Sequence, residues 1–152
     1  MAHTDSQLMD LAYKQALKSY NEGGCPIGAV LVDATGEILG QGHNRLVQEG
    51  NPVLHGEMTA MREAGRMPSR AHTTLYTSLS PCMMCSGTIL QFGIPRVVVG
   101  DVTNSPGNVD FLRDNGVQVD VLGHQPCIDL VAKFRTESPG LWLEDWGGPR
   151  AA

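Results

Sequence analysis

Apolar positions recur along the chain at two periods, helical and strand-like. After Asp5, read as an N-cap, Leu8, Met9, Ala12, Ala16, Leu17 and Tyr20 fall at helical spacing until Gly23-Gly24 stops the run. Ile27 to Val32 is short, apolar and β-branched, and Asp33 to Gly36 is a turn. Ile38 to Asn44 therefore reads as the return strand of a hairpin. Pro52 precedes a helix with Leu54, Met58 and Met61 on one face, which ends at Gly65. Thr73 to Thr77 is a third strand. Ser80 and Pro81 then have the residue types of an N-cap and a first helical position, for a helix reaching Gly93. Strands follow at Arg96 to Gly100 and Val117 to Leu122, with helical turns between them at Asp110 to Asp114. Helices at Ile128 to Glu137 and Trp142 to Trp146 close the chain. Strands alternating with helices after an opening hairpin predict an α/β fold, a three-layer α-β-α sandwich around a mixed five-stranded sheet.

Length and composition narrow the picture. The 152 residues, 41% hydrophobic and 18% charged, suit one globular domain spanning residues 1–152, with no repeat or linker. Eleven basic against sixteen acidic residues give a net charge of −5, which argues against a broad nucleic-acid-binding face. No apolar run approaches the roughly 20 residues of a membrane span, and the polar start is unlike a secretory leader. A cytoplasmic protein with no membrane or nucleic-acid partner is expected.

The chemistry concentrates in His55-Gly56-Glu57 and Pro81-Cys82-Met83-Met84-Cys85. A Cys-x-x-Cys pair without a secretion signal reads as metal-binding or redox-active rather than as a staple. Cysteines three apart at a helix start lie on one side of the helix, where its positive end favours thiolate. With one histidine they make the three-ligand set of a catalytic Zn2+ site, whose fourth position is left to water. His55 and Glu57, two apart, would diverge by about 200° on an ideal helix. This disfavours Glu57 as a ligand and suits a carboxylate approaching the water from the side. A redox pair beside an unrelated histidine is one competing reading. A structural zinc site is another, but it needs a fourth ligand, and Cys25, Cys127, His43 and His72 have no spacing that recommends them.

The pattern His-x-Glu followed by Pro-Cys-x-x-Cys resembles that of the cytidine and cytosine deaminase superfamily. Further segments resemble its fungal-type cytosine deaminases: Gly24-Cys25-Pro26-Ile27-Gly28, Gly42-His43-Asn44, Thr74-Leu75-Tyr76, Gly93-Ile94-Pro95-Arg96 and Trp142-Leu143-Glu144-Asp145. The resemblance implies a zinc-dependent homodimer that converts a free nucleobase, cytosine first, to uracil and ammonia in pyrimidine salvage. It implies zinc on His55, Cys82 and Cys85, with Glu57 shuttling the proton. Asn44 and the Gly56 N–H would hold the pyrimidine O2, the Ser80 carbonyl would meet the amino group, and Asp145 would meet N1–H. Ile27, His55 and Trp142 would wall the ring. Since a nucleoside has a sugar at N1, a carboxylate there selects free bases. The resemblance also implies an aromatic in the loop after Val97-Val98-Val99-Gly100. Residues Asp101 to Gly107 contain none, which leaves Phe111 as the next aromatic along the chain.

Two alternatives stand beside cytosine deamination. One is a deaminase of another amino-heterocycle such as guanine, isocytosine or creatinine. The other is a tRNA adenosine deaminase, which the acidic tail Glu144-Asp145 and the net charge disfavour. Met83 and Met84 read as packing, Cys25 and Cys127 as buried thiols, Trp146 as a C-terminal anchor, and Glu22, Glu49 and Glu63 as solvated charges. His3, His72 and His124 receive no role.

Overall fold

A computed structural model describes residues 3–151. Its elements are α1 (Asp5–Asn21), β1 (Gly28–Val32), β2 (Ile38–His43), α2 (Leu46–Glu49), α3 (Gly56–Ala64) and β3 (Thr74–Leu79). They continue with α4 (Met83–Gln91), β4 (Arg96–Asp101), α5 (Val109–Asp114), β5 (Gln118–Val121), α6 (Gln125–Glu137) and α7 (Pro139–Glu144). The five strands form one sheet in the order β2-β1-β3-β4-β5. β1 is antiparallel to β2 and β3, while β3, β4 and β5 are parallel. The predicted mixed sheet is therefore present.

Alternation along the central strands assigns the two faces. Ala29, Leu31, Leu75, Val97 and Val99 point one way and pack with Ala60 and Met61 of α3, Ile89 of α4 and Leu112 of α5. Val30, Val32, Tyr76 and Val98 point the other way, onto Leu8, Met9 and Ala12 of α1 and Cys127 of α6. Helices thus cover both faces, which is why β1 is buried along its whole length. A third apolar cluster, with Cys25, Ile27, Leu79, Val131, Phe134 and Trp142, gathers at one end of the sheet. On β2, Gly42 lets α3 close in, since a Cβ there would lie 2.2 Å from Thr59 Oγ1.

Several boundaries differ from the sequence reading for physical reasons. The N-cap of α1 is Thr4, which forms a capping box with Gln7. Asp5 is thereby free to pair with Arg96, whose Nη2 lies 2.8 Å from Asp5 Oδ2 and whose Nε donates to Asp120 Oδ2 at 3.0 Å. This clamp ties α1 to the start of β4 and to β5. Ser80 does not cap α4. Its N–H donates to the Asp101 carbonyl at 2.9 Å, extending the sheet, and its hydroxyl donates to the Ser105 carbonyl at 2.6 Å. The cap falls instead on Cys82. Leu54 lies before α3, and α6 begins at Gln125 because His124 caps it and Pro126 suits its first turn. The short helix α7 begins at Pro139, ahead of Trp142.

Candidate active site

Two helix N-termini converge at the C-terminal end of β3. His55 is the N-cap of α3 and is extended (φ −66°, ψ 164°), so the ideal-helix divergence of His55 and Glu57 does not apply. Cys82 is the N-cap of α4, and its Sγ accepts from the Cys85 N–H at 3.5 Å. A cap and the third residue after it converge in space, which brings the two sulfurs together. His55 Nδ1 then lies 3.4 Å from Cys82 Sγ and 3.8 Å from Cys85 Sγ. Zinc–nitrogen and zinc–sulfur bonds of about 2.05 and 2.3 Å at a tetrahedral angle place N and S about 3.6 Å apart. The observed pair of distances brackets that value, and all three donor atoms lie within 4.8 Å of one another. Among the described residues this is the one cluster of metal-ligating groups of this kind. Neither Cys25, Cys127, His43 nor His72 joins it, so among the described residues no fourth protein ligand is present.

The electrostatics follow from the same packing. Hydrogen bonding from Cys85, His55 and the Cys85 N–H brings the Cys82 thiol down to about 4 despite its burial. Cys85, the donor to that thiolate and itself buried, is raised well above the ordinary thiol range. For His55, burial opposes charge, but the Cys82 thiolate, Asp145 and Glu57 outweigh it and lift the imidazole to about 9. Glu57 is 4% exposed. Burial, reinforced by Cys82, raises its carboxyl to about 7, and its Oε1 has no hydrogen-bond partner. A cation among these groups stabilises their anionic forms.

The other ring nitrogen of His55, Nε2, lies 3.4 Å from Asp145 Oδ1. This is the placement by which a carboxylate orients a metal-binding imidazole. Asp145 Oδ1 also accepts from Asn44 Nδ2 at 2.6 Å. The orientation of the Asn44 amide is fixed, because Oδ1 accepts the Leu46 N–H at 3.1 Å. Nδ2 therefore keeps one N–H after serving Asp145. Asp145 Oδ2 is buried and unpartnered. A spare donor and a spare acceptor thus sit side by side next to the His55–Cys82–Cys85 cluster. Asp145 itself is mostly buried, and desolvation raises its pKa against the pull of His55 and Asn44.

A cavity of about 350 Å3 opens over the site, lined by His55, Cys82, Met83, Met84, Asp145 and Trp146 among others. Trp146 borders this cavity, whereas Trp142 lies in the apolar cluster with Ile27 and Cys25 and meets Trp146 edge-on at 5.6 Å. Arg150, also at the mouth, had no distinguishing signal in the sequence. Met83 is 58% exposed, so it borders the opening rather than packing inside. Phe111 is exposed in a separate groove with Val102, Pro106 and Val121 and does not reach the site. Of the remaining expected contacts, Gly56 opens α3, where its N–H has no carbonyl one turn back to bond. Ser80 is anchored to β4 and the following loop as described. Glu22 is not simply solvated, since its Oε1 lies 2.9 Å from His43 Nε2.

Comparison with known proteins gives the same picture. Residues 2–101 match the cytidine and deoxycytidylate deaminase zinc-binding region. The chain is 48% identical to the cytosine deaminase of Candida albicans over 149 residues, which covers 97% of this chain and 99% of that one. It is 40% identical to a tRNA-specific adenosine deaminase of Buchnera aphidicola over 102 residues, covering 65% of this chain and 67% of the relative. Among solved structures, guanine deaminase from Nitrosomonas europaea superposes with a TM-score of 0.73 at 20% identity, over 90% of this chain and 86% of that one, a likeness of fold. The chain belongs to the cytidine and deoxycytidylate deaminase family of zinc-dependent hydrolases. Among the described residues, no helix is long and apolar enough to cross a membrane.

Proposed function

We propose that the protein deaminates free cytosine to uracil and ammonia. The observation that carries this reading is the adjacent spare donor of Asn44 and spare acceptor of Asp145. A free pyrimidine offers the complement on one edge, a C2 carbonyl that accepts and an N1–H that donates. A nucleoside lacks that N1–H, and the unpaired buried carboxylate then costs binding. The near full-length similarity to a cytosine deaminase supports the same substrate.

His55, Cys82 and Cys85 would hold zinc. The chemistry the ion supplies when bound is activation of a water near neutral pH. Glu57 takes a proton from that water and delivers it to ring N3, then passes the second proton to the departing amine. Water oxygen joins C4 as the C4–N bond breaks, so cytosine and water become uracil and ammonia. Asn44 and the Gly56 N–H hold O2, Asp145 holds N1–H, and the Ser80 carbonyl receives the amino group. His55 and Trp146 border the space for the ring, and Ile27 and Trp142, expected to wall it, pack together in the apolar cluster beside it.

The same reading makes the protein a cytoplasmic homodimer serving pyrimidine salvage, with no nucleic-acid or membrane partner. Sedimentation at micromolar concentration tests this, and a monomer there overturns it. The substrate test is ammonia release by the zinc-loaded enzyme from cytosine and from cytidine. Release from cytosine alone is expected. Comparable release from cytidine removes the role of Asp145 at N1, and release from neither moves the search to guanine, isocytosine or creatinine.

A further inference from the structure

Asn44 follows β2, an edge strand whose one sheet neighbour is β1. Its N–H donates toward that neighbour, to the Ile27 carbonyl at 2.9 Å. Its own carbonyl has no strand on the other side to meet. The partner comes from α1: Ser19 Oγ donates to the Asn44 carbonyl at 2.8 Å. Ser19 is fully buried at 0% exposure. A serine inside a helix ordinarily bonds back to its own helix or faces water. Here the hydroxyl crosses to another element 25 residues away in sequence.

The hydroxyl is itself oriented. Gln48 Nε2 donates to Ser19 Oγ at 3.0 Å, which leaves the serine proton for Asn44. The same amide nitrogen lies 3.3 Å from Glu22 Oε1. Its seat requires Gly24, where a Cβ would lie 2.4 Å from the Gln48 amide. The neighbouring His43 is held by the same helix, with Nε2 2.9 Å from Glu22 Oε1 and Nδ1 3.3 Å from Gln15 Oε1. Gln15, Ser19 and Glu22 thus present one helical face to the His43-Asn44 dipeptide.

We infer that Ser19 is a positioning residue for base recognition: its hydroxyl, oriented by Gln48, fixes the Asn44 peptide and so aims the amide that reads the substrate's C2 carbonyl. This rests on the reading of Asn44 given above. Without the hydroxyl, the buried Asn44 carbonyl is left unpaired. Rotation of that peptide relieves the loss and swings the side-chain donor away from O2.

The test compares holoenzyme carrying Ser19→Ala, Ser19→Thr, Gln48→Met or Asn44→Ala with the parent. KM and kcat are measured for cytosine, and inhibition constants for uracil and for pyrimidin-4-one, which lacks the C2 carbonyl. In Ser19→Ala, uracil binding should weaken about three- to tenfold while pyrimidin-4-one changes less than about twofold. KM for cytosine should rise by more than kcat falls. Ser19→Thr keeps the hydroxyl and should restore the preference for uracil. Gln48→Met leaves Ser19 in place, should shift the preference in the same direction by less, and decides the matter if Ser19→Ala does not fold. General destabilisation weakens both inhibitors alike. If Ser19→Ala keeps the parental preference while Asn44→Ala loses it, Ser19 is structural only and the proposal is overturned. If Asn44→Ala also keeps the preference, the reading of Asn44 fails, and the role of Ser19 fails with it.

Discussion

The half of the site proposed to hold zinc comes from the N-caps and first turns of two nine-residue helices, α3 and α4, each set by its own local chain geometry. The half proposed to read the base comes from Asn44 and Asp145, which are 101 residues apart and meet only when the residue after β2 and the residue after α7 are both in place. The first half needs three residues of chain per helix start to be nearly correct. The second needs the whole fold. On the proposed function, local turns set what reaction is possible, and long-range packing sets which molecule undergoes it. His55 joins the two, with Nδ1 toward the thiols and Nε2 toward Asp145.

The comparison predicts that substitutions in the two halves fail differently. Glu57→Gln should lose about two orders of magnitude or more in kcat while keeping zinc and fold, because it removes the proton carrier and no ligand. Near-normal turnover would break the division at its centre. Cys82→Ala should lower zinc content and the thermal midpoint together, since metal binding and folding are coupled. Zinc per chain and calorimetry check this. Asp145→Asn should keep zinc but lose roughly ten- to a hundredfold in kcat/KM for cytosine, because the acceptor for N1–H is replaced or left mispaired. If it loses zinc as well, the two halves are one unit and the comparison is wrong.

The smallest effect belongs outside both halves. Arg96 holds the Asp5 carboxyl below its usual range, chiefly by hydrogen bonding, so its folded pKa lies below its unfolded one. That stability is present above about pH 4 and is lost as pH falls through the lowered value. Both side chains are partly exposed, so Asp5→Asn should cost about 1 kcal/mol or less near neutral pH. The difference from the parent should shrink in denaturant titrations below pH 4.

The two halves were also unequally legible in the sequence. Cys-x-x-Cys at a helix start and His-x-Glu at another announce themselves, because their geometry is complete within a turn. Even there, Ser80-Pro81 imitated a cap. Ser80 donates instead to the carbonyls of Asp101 on the sheet and Ser105 in the loop after it, more than 20 residues away in sequence. The apolar runs Ala29 to Val32 and Val97 to Val99 sufficed for strands, and the succession of strands and helices for covering both faces, though not for the strand order. The four-residue α2 was too short to carry a period. Nothing near Asn44 points to Asp145, or to Ser19. The resemblance implied that Asn44 and Asp145 surround one substrate, but their mutual hydrogen bond, like the contact with Ser19, came from the structure alone. Met83 went unread as a surface residue because a methionine beside a metal-binding cysteine looks the same inside or out.

The burial of the cysteines has a practical consequence. Cys25, Cys85 and Cys127 are each no more than 2% exposed, whereas Cys82 is only partly buried. An alkylating reagent added to the native chain meets Cys82 first, and zinc held on that sulfur would block it. Modified thiols counted per native chain thus become an internal gauge of metal loading, legible by mass in a preparation where some chains have lost their ion and others have not.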